Sequence, residues 1–150
     1  MCYFITIGSD IDFPSLESCA EGGLCIEKTD RPFFRENMPG AVSFVNLTDR
    51  HCSCSIYNSG PGAERIEVND DEDSSCAGSA RKIFKKIFAK SEFVYVYCHM
   101  YSESIEDEEL PLKKRKAVAA GCFDEDIQSW LPEDTVVFIP KELDWKAFQR

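Results

Sequence analysis

The sequence contains no apolar run near the roughly 18 residues that a membrane-spanning helix needs. It contains no Cys-x-x-Cys pair and only two histidines, His51 and His99, so no standard zinc signature can be assembled from it. Its opening, MCYFITIGSDID, has neither the basic stretch nor the long apolar segment of a secretory leader, so a cytoplasmic protein is expected. There is no internal repeat and no linker-like stretch, and 150 residues is an ordinary length for one domain, here 1–150. No established catalytic or cofactor-binding motif is present, so neither an enzyme nor a cofactor is expected.

Eight cysteines are present, at Cys2, Cys19, Cys25, Cys52, Cys54, Cys76, Cys98 and Cys122. That is below the roughly 8–10% of a disulfide scaffold. Several lie in apolar stretches or beside Ala and Gly, where a reduced thiol packs as a small hydrophobe. The charge is one-sided. Lys and Arg number 17 against 27 Asp and Glu, for a net −10. Such a field repels phosphate backbones and attracts basic surfaces, which disfavours direct nucleic-acid binding and favours a basic protein partner.

The apolar pattern indicates strands at Cys2–Ile7, Leu24–Lys28, Ala41–Leu47, Ser53–Tyr57, Arg65–Val68, Phe93–Tyr101 and Thr135–Ile139. Phe13–Ala20 suits a short helix, with Pro14 at its start and Gly22-Gly23 beyond its end. The two prolines and final glycine of Asp30–Gly40 indicate a loop. The strongest helix is Ser79–Lys90, where Ala80, Ile83, Phe84, Ile87 and Phe88 form one apolar face. Shorter helices are expected near Asp124–Trp130 and around Trp145. The fold class implied is α+β, a mostly antiparallel β-sheet packed by helices on one face.

In Phe93–Tyr101 the residues Val94, Val96, Cys98 and Met100 alternate with Phe93, Tyr95, Tyr97, His99 and Tyr101. The aromatic set is either a protein-binding surface or the floor beneath the Ser79–Lys90 helix, and the second is preferred. His51-Cys52-Ser53-Cys54 carries soft ligand types. In a strand Cys52 and Cys54 would share a face, as two packed thiols or as part of a metal or nucleophilic site. Cys2, exposed at the chain start by removal of Met1, is a further candidate nucleophile.

Three acidic runs stand out: Asp70-Asp71-Glu72-Asp73, Glu106-Asp107-Glu108-Glu109 and Asp124-Glu125-Asp126. The first lacks the Gly and Glu positions of a calcium-binding EF-hand loop. The first two are the expected partner-binding residues. Lys113-Lys114-Arg115-Lys116 matches a simple nuclear-import tetrapeptide, next to acidic residues that can neutralise it.

The MCYFITI start and the later Thr48-Asp49-Arg50-His51-Cys52-Ser53-Cys54 segment resemble small bacterial proteins with an MCYF start and an internal CSC. Size, acidity and missing catalytic motifs resemble immunity proteins that neutralise secreted bacterial toxins, including those of contact-dependent growth inhibition. The resemblance implies an acidic inhibitor that binds a basic toxin, a nuclease being the expected target because its phosphate-binding surface is basic, and transfers no site residues. The alternative is a small metal- or thiol-dependent enzyme using His51, Cys52 and Cys54.

Overall fold

A computed structural model describes residues 2–58, 76–102, 105 and 107–141. The expected strand at Arg65–Val68, the loop at Asn69–Ser75 and the helix around Trp145 lie outside the described residues.

Six strands form one sheet: β1 (Cys2–Ser9), β2 (Cys25–Lys28), β3 (Ser43–Thr48), β4 (Phe93–Tyr101), β5 (Lys114–Ala117) and β6 (Thr135–Pro140). Their spatial order is β2-β3-β1-β4-β6-β5. Every pairing is antiparallel except β5 with β6. The helices are α1 (Phe13–Glu17), α2 (Pro32–Asn37), α3 (Cys54–Tyr57), α4 (Cys76–Lys90) and α5 (Ile127–Trp130), with a 3-10 turn at Ala120–Asp124. The α+β class expected from the sequence is the one observed.

β1 and β4 form the spine, paired without a break from Cys2 opposite Tyr101 to Ser9 opposite Val94. Alternation along a strand sends neighbouring side chains to opposite faces. One face of the sheet therefore gathers Ile5, Ile7, Val45, Leu47, Val94, Val96, Cys98, Val137 and Ile139. α4 lies against it through Ile83, Phe84 and Ile87, joined by Leu16 of α1 and Ile56 of α3. Phe84 stacks on Phe123 at 5.4 Å and meets Trp130 edge-on at 5.5 Å, so α4, the 3-10 turn and α5 share one aromatic joint.

The opposite face carries the rings. Tyr95, Tyr97 and Tyr101 pack with Phe44, Val136 and Leu110 under Phe34 and Met38. This corrects the expected arrangement, in which the aromatic face of β4 lay beneath α4. The aliphatic face of β4 lies there instead. Its small side chains suit the approach of a helix that brings its own phenylalanine, and the rings are covered by α2.

α2 itself is a second departure, because Asp30–Gly40 was expected to be a loop. Pro32 sits in the first turn, where its missing N–H costs nothing, and Phe34 is buried. Gly40, at φ +86°, ends the segment, and a Cβ there would stand 3.1 Å from the Phe93 ring.

Residues 53–57 were also expected to be a strand, but Cys54–Tyr57 is a helical turn with Ile56 and Tyr57 buried. Its place is decided by β1, as described below. The basic run, for which no strand was expected, contributes β5. Lys114 and Arg115 are exposed at the sheet edge, and Lys116 pairs with Val137. The tetrapeptide is thus held in a ladder rather than presented as a free arm. Among the described residues, no helix is long and apolar enough to cross a membrane.

Truncating Phe84 to Ala empties the aromatic joint and is expected to cost about 3–5 kcal/mol by chemical denaturation. Val42→Ala, at a side chain 66% exposed, should change stability by less than about 0.5 kcal/mol.

Candidate functional site

Two polar constellations form at opposite sides of the β1–β4 spine. The first begins with a shortfall. β3 pairs with β1 only from Ile5 to Ser9, so the edge of β1 at Tyr3 lacks a strand partner on that side. The chain supplies one from the turn after β3. The Ser53 N–H donates to the Tyr3 carbonyl at 2.7 Å, and the Ile5 N–H donates to Ser53 Oγ at 2.8 Å. The Ser53 hydroxyl in turn donates to the Leu47 carbonyl at 2.5 Å. The Tyr3 N–H donates to Cys54 Sγ at 3.2 Å.

Asp49 holds this turn in shape. Its Oδ1 accepts from the His51 and Cys52 N–H groups, and its Oδ2 accepts from the Ser55 hydroxyl at 2.7 Å. Those bonds, the Ser55 hydroxyl foremost, hold the Asp49 carboxyl below the ordinary aspartate value.

The result brings Cys52 and Cys54 together with Cys2, all half-buried, with the three Sγ atoms within 4.8 Å of one another. His51 is exposed and is not part of this group. Burial pushes the Cys52 thiol up to about 11, with hydrogen bonds to Cys54 and Cys2 adding to it. A nucleophilic thiol needs the opposite shift. Sequence reasoning found Cys52 and Cys54 but put them on one face of a strand, and it considered Cys2 only as a separate nucleophile.

The second constellation lies where β4 ends. His99 is buried, with Nδ1 2.6 Å from Asp134 Oδ1 and Nε2 2.5 Å from Glu108 Oε2. Each ring nitrogen thus has a carboxylate partner within the fold. Glu108 Oε1 also accepts from the Ser102 N–H and hydroxyl, at 2.9 and 2.8 Å. Asp134 adopts φ +58°, a left-handed conformation that aspartate tolerates better than most residues. Its N–H donates to the Cys98 carbonyl, its own carbonyl accepts from the Lys113 N–H, and Lys113 Nζ stands 3.5 Å from Oδ2. Burial, followed by the Asp134 charge, pushes the neighbouring Tyr97 phenol upward, and its hydroxyl donates to the Pro111 carbonyl at 2.6 Å.

Arg31 reaches across from the start of α2. Its guanidinium donates to the carbonyls of Ile105 at 3.2 Å and Glu108 at 2.5 Å. The acidic segment after β4 is therefore tied at both its backbone and its Glu108 side chain, while Asp107 and Glu109 are exposed.

Of the expected partner-binding residues, Asp107 and Glu109 face solvent, and Glu108 is turned inward onto His99. Asp70, Asp71, Glu72, Asp73 and Glu106 lie outside the described residues. In the third acidic run, Asp124 is paired with Lys85, whose hydrogen bond and charge lower its carboxyl. Sequence reasoning missed Asp134 and Arg31. The one local signal for Asp134 was its place in a Pro-Glu-Asp turn ahead of β6.

Comparison with protein-family models, with curated proteins and with solved structures gave no match. The class shown is thus that of the fold itself, an α+β protein whose described residues form a mostly antiparallel six-stranded sheet.

Ser53→Ala would leave the Leu47 carbonyl and the Ile5 N–H without their buried partner, and should cost roughly 2–4 kcal/mol in a urea titration. Asp49 gives a pH-dependent counterpart. A carboxyl whose folded value is lowered stabilises above its unfolded value, and that contribution disappears as pH falls through the folded value. The stability gap between the wild type and Asp49→Asn should therefore narrow as pH is lowered from about 5 to about 2.

Proposed function

We propose that this chain is an acidic protein-binding inhibitor of the immunity type, which neutralises a basic, nucleic-acid-degrading bacterial toxin by direct binding. The observation that carries the proposal is the tethered acidic segment beside β4. Arg31 fixes its backbone, and His99 and Ser102 fix Glu108, so Asp107 and Glu109 are offered to solvent from an ordered support. Ordering such a loop before encounter reduces the entropy lost on binding.

The net charge of −10 supplies the long-range part. A nuclease presents a basic surface to phosphates, and an acidic inhibitor is drawn to that surface and covers it. Part of the acidity is used within the fold, by Asp124 with Lys85 and by Glu21 with Lys86. The charge available to a partner is accordingly concentrated in local segments.

Co-expression with the product of the neighbouring gene is the direct test. A toxic product should be tolerated when this chain is present and should co-purify with it. Association should slow as salt is added, and the double substitution Asp107→Asn with Glu109→Gln should slow it several-fold at low salt. The absence of a complex, or one indifferent to both salt and the double substitution, would count against the proposal.

A further inference from the structure

We propose that Cys2, Cys52 and Cys54 form a three-thiolate site for a thiophilic d10 cation, Zn(II) or Cu(I), which clips the start of β1 to the turn before α3.

The geometry comes close to what such an ion requires. The three Sγ atoms lie within 4.8 Å of one another. Zinc–sulfur bonds of about 2.3 Å in a tetrahedral arrangement put thiolates about 3.8 Å apart, so closure needs a contraction of at most about 1 Å. Soft thiolate donors select Zn(II) and Cu(I) over hard cations. With zinc, solvent completes the fourth position, whereas Cu(I) is satisfied by three sulfurs.

A second observation points to the same atoms. The Tyr3 N–H is aimed at Cys54 Sγ from 3.2 Å. An amide directed at a sulfur stabilises the thiolate form, as backbone N–H groups do around metal-bound sulfurs. The turn is also held before any ion arrives, through Asp49 to the Cys52 N–H and through Ser53 to Tyr3, Ile5 and Leu47. All three thiols are half-buried, so an ion can enter from solvent.

Binding exchanges protons for metal. Three thiols and Zn(II) give a tris-thiolate complex of net charge −1 and release three protons; with Cu(I) the complex carries −2 and the same three protons leave. A thiol coordinates as its thiolate, and an ordinary cysteine is largely protonated at neutral pH. Affinity must therefore rise with pH.

The test uses the full-length chain, reduced and handled without oxygen, titrated separately with Zn(II) and with Cu(I) against a chromophoric competitor. One ion per chain should bind with an apparent Kd of about micromolar or tighter at neutral pH. The affinity should rise between pH 6 and pH 8, and the two titrations identify the preferred ion. Cys2→Ser and Cys54→Ser should each weaken binding by more than about tenfold, while Cys25→Ser on β2 should leave it unchanged. Wild-type protein provides a measurement free of folding effects: the bound ion should protect Cys2, Cys52 and Cys54, but not Cys25, from alkylation. Failure of the reduced chain to bind either ion at one equivalent would overturn the proposal. Binding that survives both cluster substitutions, or alkylation of the three thiols at an unchanged rate, would do so equally.

Discussion

The structure depends on satisfying both edges of one buried strand. β1 runs through the middle of the sheet and is buried from Ile5 to Ser9, so its N–H and C=O groups must find partners within the fold. β4 satisfies one edge over the full length from Cys2 to Ser9. β3 satisfies the other only as far as Ile5, and the remainder falls to Ser53 and Cys54. This shortfall explains why a serine flanked by cysteines sits in that turn. It also explains why the segment after it becomes a helical turn instead of the strand its apolar residues suggest.

The two faces of the spine are finished differently. Aliphatic side chains on one face accept α4, whereas rings on the other meet α2 and the segment after β4. His99 marks the boundary of the second face. It is a polar group in an aromatic row, and Asp134 and Glu108 compensate its burial. The compensation has a second effect, because Glu108 cannot hold His99 without bringing the acidic segment down onto the sheet. A core requirement and the presentation of Asp107 and Glu109 are thus met by the same side chain.

Much of the fold was legible in the sequence wherever periodicity was long enough to be unambiguous. Ser79–Lys90 carries three turns of a single apolar face, and Phe93–Tyr101 alternates over nine residues; both appear as expected, with α4 starting earlier at Cys76. The failures were short or depended on distant partners. Pro32 reads locally as a break although it opens a helix, and nothing local marks Phe33 and Phe34 as a cover for β4. Residues 53–57 have a strand-like composition that the unmet edge of β1 overrides. The basic run has little intrinsic preference for a strand and becomes one through parallel pairing with β6. The site was less legible still. Glu108 was identified, but as a residue for a partner, and nothing local links it with His99 or Asp134. Cys2 lies about fifty residues before its companions, and only the fold brings it to them.

β5 has one more consequence, for the behaviour of many copies together. An outer strand with unused backbone groups is a template on which a second molecule can extend the sheet. Among the described residues β5 is an outer strand of the sheet, and it carries Lys114 and Arg115 exposed to solvent. Two copies meeting along this border would bring like charges into register within a few ångströms, and the pairing would be repelled before its hydrogen bonds formed. Lys114 and Arg115 thus set a strongly cationic stretch of an anionic chain against fibre growth along this border.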